Sequence, residues 1–354
     1  MDFVRLNLNK EEYMQKIYTL IVLMAVVLLG TSCNDEWKSE QYDHYIAFRS
    51  PLNNKGVTEI YVPYSRKDAD GTSQEGRSNY QLPMIVSGST NNQLNFTVNV
   101  AHDPDTLQTL NLARYQHRTD LFYVDMGKED LGFVSFPGTV DFTPGNDVSL
   151  LDISFDFRGI DMSQKWVVPL TVVDNASSDY KGHPRKNYAK AILRILPFNN
   201  FSGGYSGTTL QNFVKGDEGS GSIVANTVTG YVVDDNTVFF YAGNIDEDRT
   251  DRANYKVFAE FNGGETGGIV NFYVENPELN FVRHKEASYR IIEEMDAIRP
   301  YLLRRYVIIN NIDYEYSDYT AVPGSSITYI VRGSLTLVRT INTQIPDEDQ
   351  AIEW

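Results

Sequence analysis

The chain has 354 residues, 12% of them aromatic with 23 tyrosines, a single cysteine and a formal net charge of −16. One cysteine excludes an intramolecular disulfide framework. An acidic balance with no Lys/Arg-rich run to offset it repels phosphate backbones, so nucleic acid is not an expected partner.

From Ile17 to Leu29 the sequence IYTLIVLMAVVLL is apolar without a break for thirteen residues, short of the roughly 18 needed to cross a bilayer. It reads as the h-region of a secretory signal. Gly30, Thr31 and Ser32 then lead into Cys33. This arrangement resembles a lipobox with one departure, since Gly30 stands where an aliphatic residue is usual and Leu29 lies one place further out. Residues 1–32 are expected to be removed, leaving Cys33 acylated and the mature protein held to a membrane by lipid alone. Asp2, Glu11 and Glu12 against Arg5 and Lys10 give residues 1–13 the wrong charge for a signal, whereas Met14 followed by Lys16 supplies the right one. Translation is therefore expected to start at Met14. The first 32 residues hold three basic and three acidic side chains, so the whole charge of −16 resides in the mature part. Residues 33–44 form a tether that opens with the acidic run Asn34-Asp35-Glu36.

About 320 residues remain after the signal, which on ~100–200 residues per domain implies two domains. Their dominant period is two. Leu94, Phe96, Val98 and Val100 alternate with Asn95, Thr97 and Asn99, and Leu151, Ile153, Phe155 and Phe157 alternate with Asp152, Ser154, Asp156 and Arg158. Each such run has one dry face and one wet face, the pattern of a half-buried strand. Further strands are expected over 133–136, 166–173, 189–196, 231–233, 237–241, 255–261, 268–274, 306–309 and 327–339, separated by turn signals such as Pro144-Gly145 and Asn262-Gly263-Gly264. Two segments argue for helix: Asp105–Tyr115, with Asp105 as its cap, and the ambiguous Ser288–Arg299. The chain is therefore all-β with antiparallel connections. A boundary is expected at Leu196-Pro197-Phe198-Asn199-Asn200, where a proline that cannot donate to a ladder precedes two turn-forming asparagines. This divides the body into 45–197 and 201–345, followed by an acidic tail over 346–354.

The segment from Val140 to Asn175 runs from a Pro-Gly turn through an alternating strand to Trp166-Val167-Val168-Pro169-Leu170. It resembles the closing half of a β-sandwich domain found in two-domain surface lipoproteins of Bacteroidetes polysaccharide-utilisation loci. FSGGYSGTTL from Phe201 resembles the start of the C-terminal domain often paired with it. The resemblance covers about residues 45–341 and rests on structural motifs. It implies an Ig-like β-sandwich followed by a second antiparallel β-domain, a lipocalin-like barrel or a sandwich. It also implies the functional company of SusE/SusF-type glycan-binding proteins, with an oligo- or polysaccharide ligand and an outer-membrane importer complex as partner. In such lipoproteins acidic residues after the acylated cysteine resemble the signal for display on the outer face of the outer membrane. A structural or adhesive surface protein that binds other proteins through its β-domains is the alternative.

No residue constellation announces a chemistry, so no enzyme activity and no cofactor are expected. Asn244, Asp246, Asp248 and Asp251 have the alternating oxygens that begin a calcium loop, but Arg249 and Tyr255 stand where an EF-hand requires Gly and a bidentate Glu. A solvated acidic hairpin loop is the better reading. His44, His102, His117, His183 and His284 lack metal spacing, Ser206 lacks the G-x-S-x-G elbow, and Glu293 and Glu294 are two acids among 47. Trp37, Trp166 and Trp354 fall in the tether, a core strand and the terminus, none of them an obvious sugar platform. The segment Asn310–Tyr319 crowds Tyr314, Tyr316 and Tyr319 with polar side chains into one expected loop. Rings stack on sugar faces while Asp313 or Asp318 bond hydroxyls, so this is the candidate glycan site.

Overall fold

The computed structural model describes residues 44–67 and 71–354. The signal segment, Cys33 and the tether up to residue 43 lie outside the described residues. Eleven strands build the first domain: β1 (Tyr45–Phe48), β2 (Thr58–Pro63), β3 (Arg77–Val86), β4 (Phe96–His102), β5 (Tyr123–Asp125), β6 (Val134–Ser135), β7 (Thr139–Phe142), β8 (Val148–Asp156), β9 (Lys165–Val173), β10 (Lys181–Gly182) and β11 (Lys190–Phe198). They form two sheets, β10-β1-β3-β8-β6 and β2-β11-β9-β4-β7, with β5 added beside β9.

Alternation decides what lies between those sheets. Leu82 and Met84 of β3 and Leu151, Ile153 and Phe155 of β8 share one apolar cluster with Val98 of β4 and Val168 and Leu170 of β9. The result is a sandwich with a period-two lining from both sheets. Three of its pairings are parallel, β1 with β10, β2 with β11 and β5 with β9, which departs from the antiparallel expectation. Helix α1 (Pro104–Tyr115) lies outside the second sheet, where Leu107 meets Val57, Tyr123, Val167 and Ile192. Its cap is Asp103, which accepts from the Thr106 amide at 3.2 Å, and not Asp105. Pro104 takes the first-turn position, where a missing N–H costs nothing.

The second domain contains β12 (Gly203–Ser206), β13 (Gln211–Val214), β14 (Ile223–Val224), β15 (Thr227–Val232), β16 (Thr237–Tyr241), β17 (Lys256–Gly264), β18 (Gly267–Tyr273), β19 (Val282–Arg283), β20 (Ala287–Met295), β21 (Leu302–Val322), β22 (Ser325–Asn342) and β23 (Ile352–Glu353). Pairing runs β22-β12-β15-β16-β17-β18-β20-β21 and returns from β21 to β22. Every contact in that ring is antiparallel, so eight strands close a barrel. The ambiguous segment after Ser288 is strand β20, whose residues pair with β21 from Ser288 to Met295. Long-range pairing overrides its helical composition.

At 21 and 18 residues, β21 and β22 outrun the barrel. Their register shifts between Ile309 and Ile312, where Asn311 has φ 60°. Opposite, Gly333 has φ +141°, and a Cβ there would fall 2.0 Å from the Thr209 carbonyl oxygen. A bulge of this kind re-aims a strand. Beyond it the hairpin crosses the barrel mouth to the loop between β16 and β17.

Sheet membership changes between Phe198 and Gly203, and this connection is a fixed knot. Asn199 donates to the carbonyls of Asp234 at 2.6 Å and Thr237 at 3.2 Å and accepts from the amides of Phe201 and Ser202 at 2.8 Å. The buried Arg339 donates to the carbonyls of Asn199 and Ser202, both at 2.9 Å. Val232, Phe239, Tyr241 and Phe258, from the barrel wall, belong to the same apolar cluster as the sandwich core. Lys256 with Asp161 at 2.7 Å and Lys165 with Asp248 at 3.1 Å border that contact. The segment expected to be an acidic tail is also tied down. Asp347 pairs with Arg66 at 3.1 Å and β23 adds to β22.

Candidate functional site

Asn310–Tyr319 is not a loop but the part of β21 that closes the barrel mouth. Tyr314 and Tyr316 do share one side of the strand, but that side faces inward, with 5% and 0% exposure. Tyr316 donates to Asn244 Oδ1 at 2.9 Å, while burial pushes Tyr314 up to about 12. Tyr319 is half-buried, stacked on Tyr255 with centroids 5.4 Å apart, and its hydroxyl accepts from Asn276. These rings are core, and no sugar face reaches the first two.

The acids are equally committed. Asp313 is buried between Lys285 at 3.1 Å and Arg332 at 3.2 Å. Burial opposes its charge, but those two cations outweigh it and hold the carboxyl below its usual value. Asp318 takes both Nη atoms of Arg249, at 2.7 and 2.9 Å, and the Tyr255 hydroxyl at 2.8 Å. Arg249 beside it holds that carboxyl well below the usual carboxylate range. The calcium candidates meet the same latch without converging. Asp251 pairs with Arg249 at 2.7 Å, Asp248 with Lys165, and Asp246 accepts from the Asp248 amide, while Asn244 serves Tyr316. Among the described residues no group of three or more His, Cys, Asp and Glu could hold a metal ion.

Eight-stranded barrels are just wide enough for side chains to fill or for one small ligand. Here Phe240, Phe272, Ile312, Tyr314 and Leu335 leave an interior space of only ≈ 10 Å³, about one water. The barrel interior at these side chains therefore has no room for a sugar ring.

The roomier cavity lies in the sandwich, a cleft of ≈ 190 Å³ beside the start of β1. Its floor is apolar, made by the buried Ile46, Val86 and Tyr180 with the half-buried Phe96, and its rim carries the polar His44, Thr90, Asn91, Gln93 and Asp179 beside the exposed Leu94. Phe96 is sandwiched near Phe142 at 5.3 Å and Tyr180 at 6.0 Å, which fixes the floor. Asn92 fixes the rim. It is 2% exposed, donates to the carbonyls of Leu94 and Thr143 at 2.9 and 3.0 Å, and its backbone amide donates to Asp147 at 2.6 Å. Neighbouring Asn91 and Gln93 are thereby presented to solvent on an ordered loop. Amides, a hydroxyl, an imidazole and a carboxylate around an apolar floor suit a hydroxylated ligand, because each polar ligand group finds a donor or acceptor while its C–H face finds carbon.

Sequence reasoning missed this cleft. Leu94 was expected in a strand's dry face, yet it precedes β4 and is 60% exposed. The available signal was the aperiodic run Ser87-Gly88-Ser89-Thr90-Asn91-Asn92-Gln93, a loop rich in amides directly before an aromatic strand. Trp354 was passed over as well. It stacks on Tyr61 with centroids 4.1 Å apart and planes 3° apart.

Residues 37–176 match a family model described as a domain of unknown function, DUF4973, and residues 189–336 match one described as a C-terminal domain. No curated protein matches the chain. Among solved structures it is similar to an auxiliary nutrient binding protein from Bacteroides thetaiotaomicron, at 55% identity and TM-score 0.79, over 88% of this chain and 100% of that one. A multidomain protein including DUF1735 from Bacteroides ovatus is 42% identical with TM-score 0.75, over 88% and 100% of the two chains. A protein of unknown function from the same species is 34% identical with TM-score 0.75, over 90% and 97%. With identities of this size across the whole of those proteins, the chain belongs to the family of two-domain Bacteroides β-proteins that includes the auxiliary nutrient binding protein.

Proposed function

We propose that the protein is a non-catalytic, glycan-binding lipoprotein that takes up oligosaccharide in the sandwich cleft at the outer face of the outer membrane and passes it to an importer complex. The observation that carries this reading is the cleft itself, an apolar floor of Phe96, Val86 and Ile46 under an amide-rich rim. Nutrient binding by a relative 55% identical supports it. A cavity of ≈ 190 Å³ is smaller than the roughly 300–1,000 Å³ of typical ligand pockets, so it suits one sugar ring or a chain end. The acidic surface, at −16 overall, favours neutral over anionic glycans.

The test is calorimetric titration of a panel of neutral oligosaccharides. Replacing Asn91 and Gln93 together by Ala removes two exposed rim amides without touching Asn92. A roughly tenfold loss of affinity at unchanged melting temperature is expected, and unchanged affinity sinks the cleft. Anchoring is tested separately. Cys33→Ala is expected to give an unacylated protein, released from the membrane or left uncleaved, and a wild-type N-terminus that carries no acyl mass in mass spectrometry would rule out the acyl anchor.

A further inference from the structure

The second sheet has an outward face that α1 covers only in part. On β2 the outward residues are Glu59 and Tyr61, since Ile60 and Val62 are core. On β11 they are Arg194 and Leu196, register partners of Glu59 and Tyr61. Three observations meet here. First, Tyr61 and Trp354 form a parallel stack yet stay 37% and 51% exposed. Second, the indole is held from below by Phe198, edge-on at 4.9 Å, and by the Arg339 guanidinium 5.3 Å from its centroid. The stack is therefore preorganised. Third, the Arg194 guanidinium lies 5.8 Å from the Tyr123 ring centre, and its Nη1 is buried with no hydrogen-bond partner among the described residues. Glu59 and Glu247 act on its charge without pairing with it. Glu247 instead accepts from Tyr231 at 2.7 Å, and Glu59 has only a loose contact with Lys55 at 3.9 Å.

A desolvated cation with uncommitted donors lowers stability. Departures of this kind from local consistency are found at functional sites. We propose that Tyr61, Trp354, Arg194 and Glu59 form a second saccharide contact, at the domain junction, for a neutral pyranose of a chain too long for the sandwich cleft. The aromatic pair takes a C–H face of the sugar, the part of the half-buried Arg194 guanidinium other than the sealed Nη1 donates to hydroxyl or ring oxygens, and Glu59 accepts from a neighbouring hydroxyl. Paired donor and acceptor side chains match a diol. Two carboxylates beside one guanidinium turn away a uronate. The inference rests on the glycan-binding reading above and extends it to polymers, because two contacts on one rigid body raise avidity for a chain that reaches both.

The experiment is native affinity electrophoresis of the full mature protein through gels containing mannan, xylan, dextran or polygalacturonate. It is run beside calorimetry with the short oligosaccharide that titrates the cleft. Arg194→Met and Tyr61→Ala are expected to weaken retention by the best neutral polymer roughly tenfold, leaving short-oligosaccharide affinity unchanged. Arg194→Met is expected to keep or raise the melting temperature. The proposal is overturned if both variants run like wild type in every gel. It is also overturned if Arg194→Met loses melting temperature in step with retention, or if polygalacturonate retains wild type better than any neutral polymer. Loss of short-oligosaccharide affinity only in the Asn91/Gln93 variant, with wild-type gels for both Arg194→Met and Tyr61→Ala, would sink the junction contact and leave the cleft standing. Wild type that binds no sugar in either assay would sink both.

Discussion

The barrel mouth and the domain junction each place a charged group beneath the surface, and they treat it in opposite ways. At the mouth, Asp318 receives three hydrogen bonds from Arg249 and Tyr255, and Arg249 is shared further with Asp251. At the junction, Arg194 has a sealed nitrogen with no partner among the described residues. A saturated network rigidifies and leaves nothing for a ligand to bond. An unsaturated group is where a ligand has something to add. Density of aromatic and acidic residues thus marks a packed, saturated region here, and the junction contact proposed above is drawn from the opposite situation.

The comparison can be broken most forcefully at Tyr316. Tyr316→Ala empties a fully buried site and is expected to cost about 3–5 kcal/mol in chemical denaturation. Sugar binding should survive at temperatures where the variant remains folded. A stable Tyr316→Ala protein with lost binding would restore the mouth as the glycan site.

Next in size is Asp318→Ala, which takes one of two carboxylates from Arg249 and is expected to cost about 1–2 kcal/mol. Its pH signature is specific. The folded carboxyl sits below the ordinary 3.8, so its stabilisation is fully present above that value and is lost as pH falls toward the folded value. Wild type should lose stability on acidification more steeply than Asp318→Asn, and equal acid slopes would count against the latch. Smallest of all is Arg194→Met, where no loss of stability is expected. A sizeable loss there would erase the contrast between the two regions.

Much of the architecture was legible because the period-two alternation of β4, β8 and β22 depends only on which face each strand buries, whereas β3 was not anticipated. Parallel pairings and the closing contact of β21 with β22 were not, since they are set by partners far away in the chain. The misread site shows the same limit at residue level. Tyr314 and Tyr316 alternating with Asp313 and Glu315 is a strand signature with one aromatic and one acidic face. What a loop reading could not supply is that Lys285, Arg332, Lys215 and His284 arrive to cover the acidic face. Trp354 looked idle because its partner Tyr61 lies near the other end of the sequence, and the cleft looked like a bland linker because amide-rich loops carry no period.

The tail strand β23 has a kinetic meaning as well. It brings Asp347 to Arg66 across a sequence separation of 281 residues, and it seats Trp354 on Tyr61 in the same stroke. Contacts that distant form late, because the entropy of closing so large a loop must be overcome before they add any stability. The sandwich and the barrel can each gather their own cores earlier, so seating the tail is expected to be the final, slow phase of refolding, visible as a delayed change in tryptophan fluorescence that Trp354→Phe removes.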